Sequence, residues 1–156
     1  MSRKVVLTVG AVLRGDDAAG PFLAKLLQED PVDGWEVVDG GQTPEDEMAV
    51  VRRMSPDVLL VVDAAQMGEE PGTVKVVDEE CVARDFLITT HSLPLSFLLG
   101  ELRTCCQNVV FLGIQPAHME FMGALTPQVE HAVRRIHSWL KTGGDFGASE
   151  TSQQVV

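Results

Sequence analysis

Val5 to Pro21 reads VVLTVGAVLRGDDAAGP, and the organisation of the chain follows from it. Val5 to Val9 is an apolar, β-branched run of the kind buried on both faces of a parallel sheet. Gly10 and Gly15 open a loop, and Asp16-Asp17 stand just before a helix whose first turn holds Gly20 and Pro21. Proline is tolerated there because its missing N–H would be unpaired in any case. One carboxylate at a helix N-terminus is accounted for by capping and by the dipole, but a second is not. The glycines fall at 10, 15 and 20, which is neither GxGxxG nor GxxxxGK[ST]. Two aspartates at a helix entrance also repel phosphate. The loop is therefore suited to a cation or a proton rather than a nucleotide.

Outward from this stretch, strands and helices alternate. A helix is predicted over about Phe22 to Gln28, then a strand at Glu36 to Val38 running into Asp39-Gly40-Gly41. Thr43-Pro44 predicts an N-cap and first helical residue, with Glu45, Asp46 and Glu47 following and Arg52-Arg53 closing the helix near Met54. Val58 to Val62 is the most apolar strand and leads into Asp63. Gly72 to Val77 alternates less cleanly and suits an edge. Thr89-Thr90-His91-Ser92 precedes a helix from about Pro94 to Arg103, Val109 to Ile114 makes a last strand, and Thr126-Pro127 opens a helix to about Lys141. The expected fold is a single α/β domain over 1–142, a mostly parallel sheet of about five strands with helices on both faces. A flexible polar tail is expected over 143–156.

The 156 residues suffice for one core, and 45% hydrophobic with 22% charged residues is a globular balance. A net charge of −11 argues against nucleic acid and anionic membrane as partners. The apolar run after Arg3-Lys4 is too short for a signal peptide, and no apolar segment reaches transmembrane length. Cys81, Cys105 and Cys106 are odd in number and lack CxxC spacing, so they read as reduced thiols and the expected compartment is the cytoplasm.

In a parallel sheet the carboxyl ends of the strands share one edge, and ligands sit outside it where the strand order reverses. Asp17, Asp39 and Asp63 each follow one of the first three strands there. A single strand-end aspartate is usually a turn or cap, but three converging on one edge suggest a site. His91 is their natural partner: imidazole and carboxylate together suit nickel, zinc or manganese with open positions for substrate. His131 and His137 lie six apart and cannot share an ion, and nothing else supports His118. There is no HExxH helix, no GxSxG elbow and no base for Cys105 or Cys106. The three carboxylates with His91 are the one set in the sequence that hangs together.

The motifs Gly15-Asp16-Asp17, Asp39-Gly40-Gly41, Val61-Val62-Asp63-Ala64, Thr89-Thr90-His91 with Pro94-Leu95, and Phe111 to Pro116 (FLGIQP) carry a resemblance. In order and in register, from about Val5 to Trp139, they are similar to the nickel–iron hydrogenase maturation endopeptidases, most closely the branch serving the formate-hydrogenlyase hydrogenase. The resemblance implies that Asp17, Asp63 and His91 contact nickel and that Asp39 lies in the loop beside the cleft, completing the catalytic set. It implies nickel delivered by the substrate, although another divalent cation could occupy the resting site. It further implies, as partner, the precursor large subunit of a nickel–iron hydrogenase, cut near its C-terminus by a monomeric enzyme. Ala11 and Ala18 depart from the family's usual asparagine and glycine, and Ala18 disfavours a positive φ. Two readings stay open beside the peptidase: a nickel-binding chaperone, and a non-catalytic interaction module of the same fold.

Overall fold

The computed structural model describes residues 2–77 and 95–143. His91, Cys81 and the segment Thr89 to Pro94 lie outside the described residues, as does the tail from 144 onward.

The strands are β1 (Lys4–Val9), β2 (Trp35–Gly41), β3 (Val58–Ala64), β4 (Val74–Val77) and β5 (Asn108–Ile114). The helices are α1 (Ala19–Glu29), α2 (Met48–Met54), α3 (Leu95–Leu102) and α4 (Pro127–Lys141). The five strands form one sheet in the order β2-β1-β3-β5-β4. β1 pairs in parallel with both β2 and β3, and β3 with β5, while β4 runs antiparallel at the edge. The expected α/β sheet is therefore the observed one, with Val74–Val77 at its rim.

Strand alternation splits the core in two. Val6, Leu60, Val62 and Leu112 face α1 and α4, packing on Leu23, Leu27, Val133 and Ile136. Val5, Leu7, Leu59, Val61 and Phe111 face α2 and α3, packing on Val51, Leu98 and Leu102. Because the central strands β1, β3 and β5 are covered on both faces, continuous apolar runs rather than alternating ones mark them in the sequence. Leu7, Leu59, Leu60 and Leu112 have no exposed surface. At roughly 2–5 kcal/mol for truncating a buried leucine to alanine, any of them outweighs the surface ion pairs in holding the sheet.

Two helix entrances differ from expectation. Each of the first two helices is preceded by a 3-10 turn, Gly15–Ala18 before α1 and Pro44–Glu47 before α2. Thr43 makes no side-chain cap to its turn. Ala18 has φ −74°, ordinary right-handed backbone, so alanine sits at that position without strain.

Candidate active site

The chain leaves β1 along α1 on one face of the sheet and returns to β3 through α2 on the other. A crevice must open where those directions diverge, between the carboxyl ends of β1 and β3. Asp17 lies in the turn after β1, and Asp63 is the penultimate residue of β3. The Gly15–Ala18 turn packs against β3, which brings the two aspartates to the same end of neighbouring strands. Asp17 is 1% exposed and Asp63 0%, so both carboxylates are withheld from bulk water.

Asp17 is held by its own loop. Its Oδ2 accepts the Ala11 amide at 2.9 Å, closing the loop into a ring across the glycine-bearing segment. The loop comes so close to the strand end that a Cβ on Gly10 would lie 2.0 Å from the Asp17 carbonyl oxygen. One on Gly20 would lie 2.2 Å from the Val9 carbonyl oxygen. The spacing of glycines at 10 and 20 is thus a packing requirement: strand, turn and helix meet where no side chain fits.

Asp16 points elsewhere. Fully buried, it accepts the Thr126 amide on Oδ1 at 2.7 Å and the Ala117 and His118 amides on Oδ2 at 2.8 and 3.3 Å. The Thr126 hydroxyl lies 2.9 Å from both oxygens. In return, the Gly15 and Asp16 amides donate to the Gly123 and His118 carbonyls at 3.1 and 3.0 Å. Adjacent aspartates therefore do different work: Asp17 faces its own loop, and Asp16 straps the 117–126 loop to it.

Asp39 sits in β2 opposite Thr8, which in turn pairs with Val62. That cross-strand row belongs to the α1/α4 face, whereas Asp63, one residue on from Val62, belongs to the other. Asp39 is exposed, and its Oδ1 accepts from the Thr8 hydroxyl and the Gly41 amide, both at 3.2 Å. Gly41 then accepts the Gly10 amide at 2.9 Å, so Asp39 fixes a turn that reaches the strand-one loop. Among the described residues no three His, Cys, Asp or Glu side chains are grouped closely enough to hold a metal ion. Two carboxylates at the crevice fit a divalent cation only if a further donor comes from outside the described residues or from the substrate.

Gln115, which follows β5, is a positioning residue that sequence spacing does not single out. It is 4% exposed, and its Oε1 accepts the Met67 and Glu69 amides at 2.7 and 3.3 Å. Its Nε2 donates to Gln66 Oε1 and the Pro116 carbonyl at 2.9 and 3.1 Å. The loop that leaves Asp63 is therefore moulded around one amide side chain, with both ends satisfied.

Residues 22–141 match the family model described as hydrogenase maturation protease. The chain belongs to that family. It is 39% identical over 144 residues to the hydrogenase 3 maturation protease of Escherichia coli K12, covering 90% of this chain and 92% of that one. The crystal structure of a hydrogenase 3 maturation protease superposes with a TM-score of 0.88 at 37% identity, over 99% and 98% of the two chains. The hydrogenase maturating endopeptidase HybD of E. coli gives 0.70 at 28% identity, over 91% and 94%. This chain is accordingly a hydrogenase maturation endopeptidase, and the strand-end crevice is its candidate site. Among the described residues no helix is long and apolar enough to cross a membrane.

Proposed function

We propose that this protease removes a C-terminal peptide from the nickel-loaded precursor of a nickel–iron hydrogenase large subunit. Asp17 and Asp63 contact the substrate's nickel together with His91. The observation that supports this most directly is the burial of two carboxylates from separate chain segments at the sheet's switch point. Burying negative charge is costly, and a substrate cation shared between the two would offset that cost.

Nickel carried by the substrate supplies Lewis-acid polarisation of the scissile carbonyl and a shared ligand by which mature-ready precursor is recognised. The chain's own residues supply the rest. The Ala11 amide fixes the orientation of the Asp17 carboxylate, which can then bind the cation or take a proton. Asp39 anchors the β2 turn beside the cleft through Gly41 and Gly10. Water adds to the peptide carbonyl, the C–N bond breaks, and the proton taken from water passes to the leaving amine.

The test is to incubate the protein with purified precursor, nickel-loaded and nickel-free, and weigh the products. Loss of a C-terminal peptide from the loaded form alone is expected. A precursor that binds nickel-dependently and stays intact identifies a chaperone instead.

A further inference from the structure

Among the described residues five large apolar side chains stand more than half exposed: Val12, Leu13, Phe97, Phe121 and Met122, at 67, 56, 54, 67 and 69%. Scattered single residues of this kind need no explanation. Four of these are not scattered. Val12 and Leu13 occupy the loop after β1, Phe121 and Met122 the loop before α4, and the Met122 amide donates to the Leu13 carbonyl at 2.6 Å. The Asp16 strap described above locks the same two loops a few residues away on either side. The apolar side chains therefore stand on a rigid base, and their exposure does not come from slack in a loop.

Met122 adds a second oddity. Its φ is +64°, a left-handed conformation that a side-chain-bearing residue adopts at a cost and glycine would not. A strained backbone that holds a methionine 69% exposed gains nothing for the core. The charge distribution narrows what could cover it. The chain carries −11 overall, yet 10–15 holds no acid and one base, Arg14, and 116–126 holds one acid, Glu120, so the two loops together carry no net charge. A neutral, apolar window in an acidic protein selects an apolar, uncharged surface rather than a basic one. Its location fixes which partner presents that surface. The loop that holds Val12 and Leu13 continues into the Gly15–Ala18 turn carrying Asp17, so the window lies on the rim of the endopeptidase site. A protease whose substrate is a protein must press that rim against it.

We infer that Val12, Leu13, Phe121 and Met122 form a docking knuckle that seats on an uncharged apolar patch of the hydrogenase precursor, beside the segment to be cut. The inference rests on the proposed substrate. It assigns to Asp16 the positioning of the knuckle as well as of the turn, and it explains why two loops remote in sequence are tied so tightly at the mouth of the site.

The experiment compares wild type, V12S/L13S/F121S/M122S, the single variant F121S and the control F97S. Each is titrated against purified nickel-loaded precursor, with binding read by calorimetry and cleavage by mass. All four side chains are solvent-facing, so melting temperatures should stay together, and F121S serves if the quadruple variant does not fold. Binding by the quadruple variant should weaken by at least about tenfold, with KM rising in step and kcat within about twofold, while F97S matches wild type. Quadruple and single variants that bind and cleave like wild type overturn the docking role and leave the peptidase reading intact. Wild type that binds but never cuts, with the quadruple variant binding at least about tenfold less, overturns the peptidase reading and supports the knuckle. Wild type that does not bind overturns both.

Discussion

Asp16 and Thr126, 110 positions apart, are joined by both the amide and the hydroxyl of the threonine, at 2.7 and 2.9 Å. Thr126 opens α4, where a threonine hydroxyl ordinarily caps the helix, yet here it makes no cap bond and turns to the aspartate instead. Asp16→Ala strands the Ala117, His118 and Thr126 amides together in a partly buried site, and stability should fall by at least about 3 kcal/mol, at about 1 or more for each of the three donors left unpaired. Thr126→Val keeps the amide bond and should lose only about 1 kcal/mol. Urea titrations of the two variants give the comparison; an Asp16→Ala loss no larger than that of Thr126→Val would mean that the strap carries little.

Gly10 after β1 and Gly20 in the first turn of α1 should differ sharply from Gly41 at the end of β2. Gly10→Ala and Gly20→Ala each place a methyl carbon at 2.0 or 2.2 Å from a backbone carbonyl that cannot swing away. Each should cost more than about 3 kcal/mol or prevent folding. Gly41 has φ +56° with nothing within 4 Å of an added Cβ, so Gly41→Ala meets only the left-handed penalty of about 1–2 kcal/mol. Thermal melts of the three variants would separate steric from conformational cost, and equal losses would contradict the packing described for Gly10 and Gly20.

Much of the architecture is legible because helix and strand signals here are local. Val58 to Val62 is apolar throughout and is covered on both faces, so β3 could be placed to within two residues of its observed end at Ala64. The edge position of Val74–Val77 follows from its weaker alternation. The 3-10 turns were not legible, since Thr43-Pro44 and Asp16-Asp17 look like ordinary helix entrances, yet Thr43 makes no cap bond and the Asp16 side chain is taken by distant amides. The site is half legible for the same reason. The convergence of strand ends brings Asp17 and Asp63 to one edge, but which of two adjacent aspartates is taken up by the 117–126 loop depends on Thr126 and Ala117, far away in sequence. Asp39 is placed by strand parity, which puts it in register with Thr8 rather than Asp63. Gln115 carried no signal beyond its motif, because its partners are backbone amides that any sequence supplies.

Acid should weaken the seam between α1 and α4. Asp30, just past α1, bonds to the Lys141 ammonium at the end of α4, and that hydrogen bond, with the charges of Lys141 and His137, holds its carboxyl below the usual range. A carboxylate depressed in the folded state contributes stability above its unfolded pKa of about 3.9 and loses it as pH falls through the lower folded value. The pair is exposed, so the contribution is small and salt-sensitive. Asp30→Asn should therefore melt slightly below wild type at pH 7 and low salt, and the gap should close as the pH falls through the depressed folded value. A gap that persists in acid would assign the effect to packing rather than charge.

Cleavage should separate the proposed site from its neighbours. Asp17 accepts the Ala11 amide, so alanine would remove a structural bond along with the charge; Asp17→Asn is the cleaner change because the new side-chain carbonyl can still accept. Asp17→Asn, Asp63→Asn and His91→Ala should each leave nickel-loaded precursor essentially uncut. A residue that merely orients a metal ligand is worth about 10–100-fold, and a ligand itself should be worth at least that. Nickel-dependent binding should weaken together with cleavage, since the same atoms would recognise the substrate. His118→Ala and Cys105→Ala should process precursor at close to the wild-type rate. The His118 contribution to the strap is made by its backbone, with the residue exposed, and the Cys105 thiol donates to the Leu102 carbonyl at 3.2 Å. Full cleavage by the Asp17 and Asp63 variants, with loss in the His118 and Cys105 variants, would refute the assignment; loss in all five would point to damaged folding, which melting curves on the same samples would reveal.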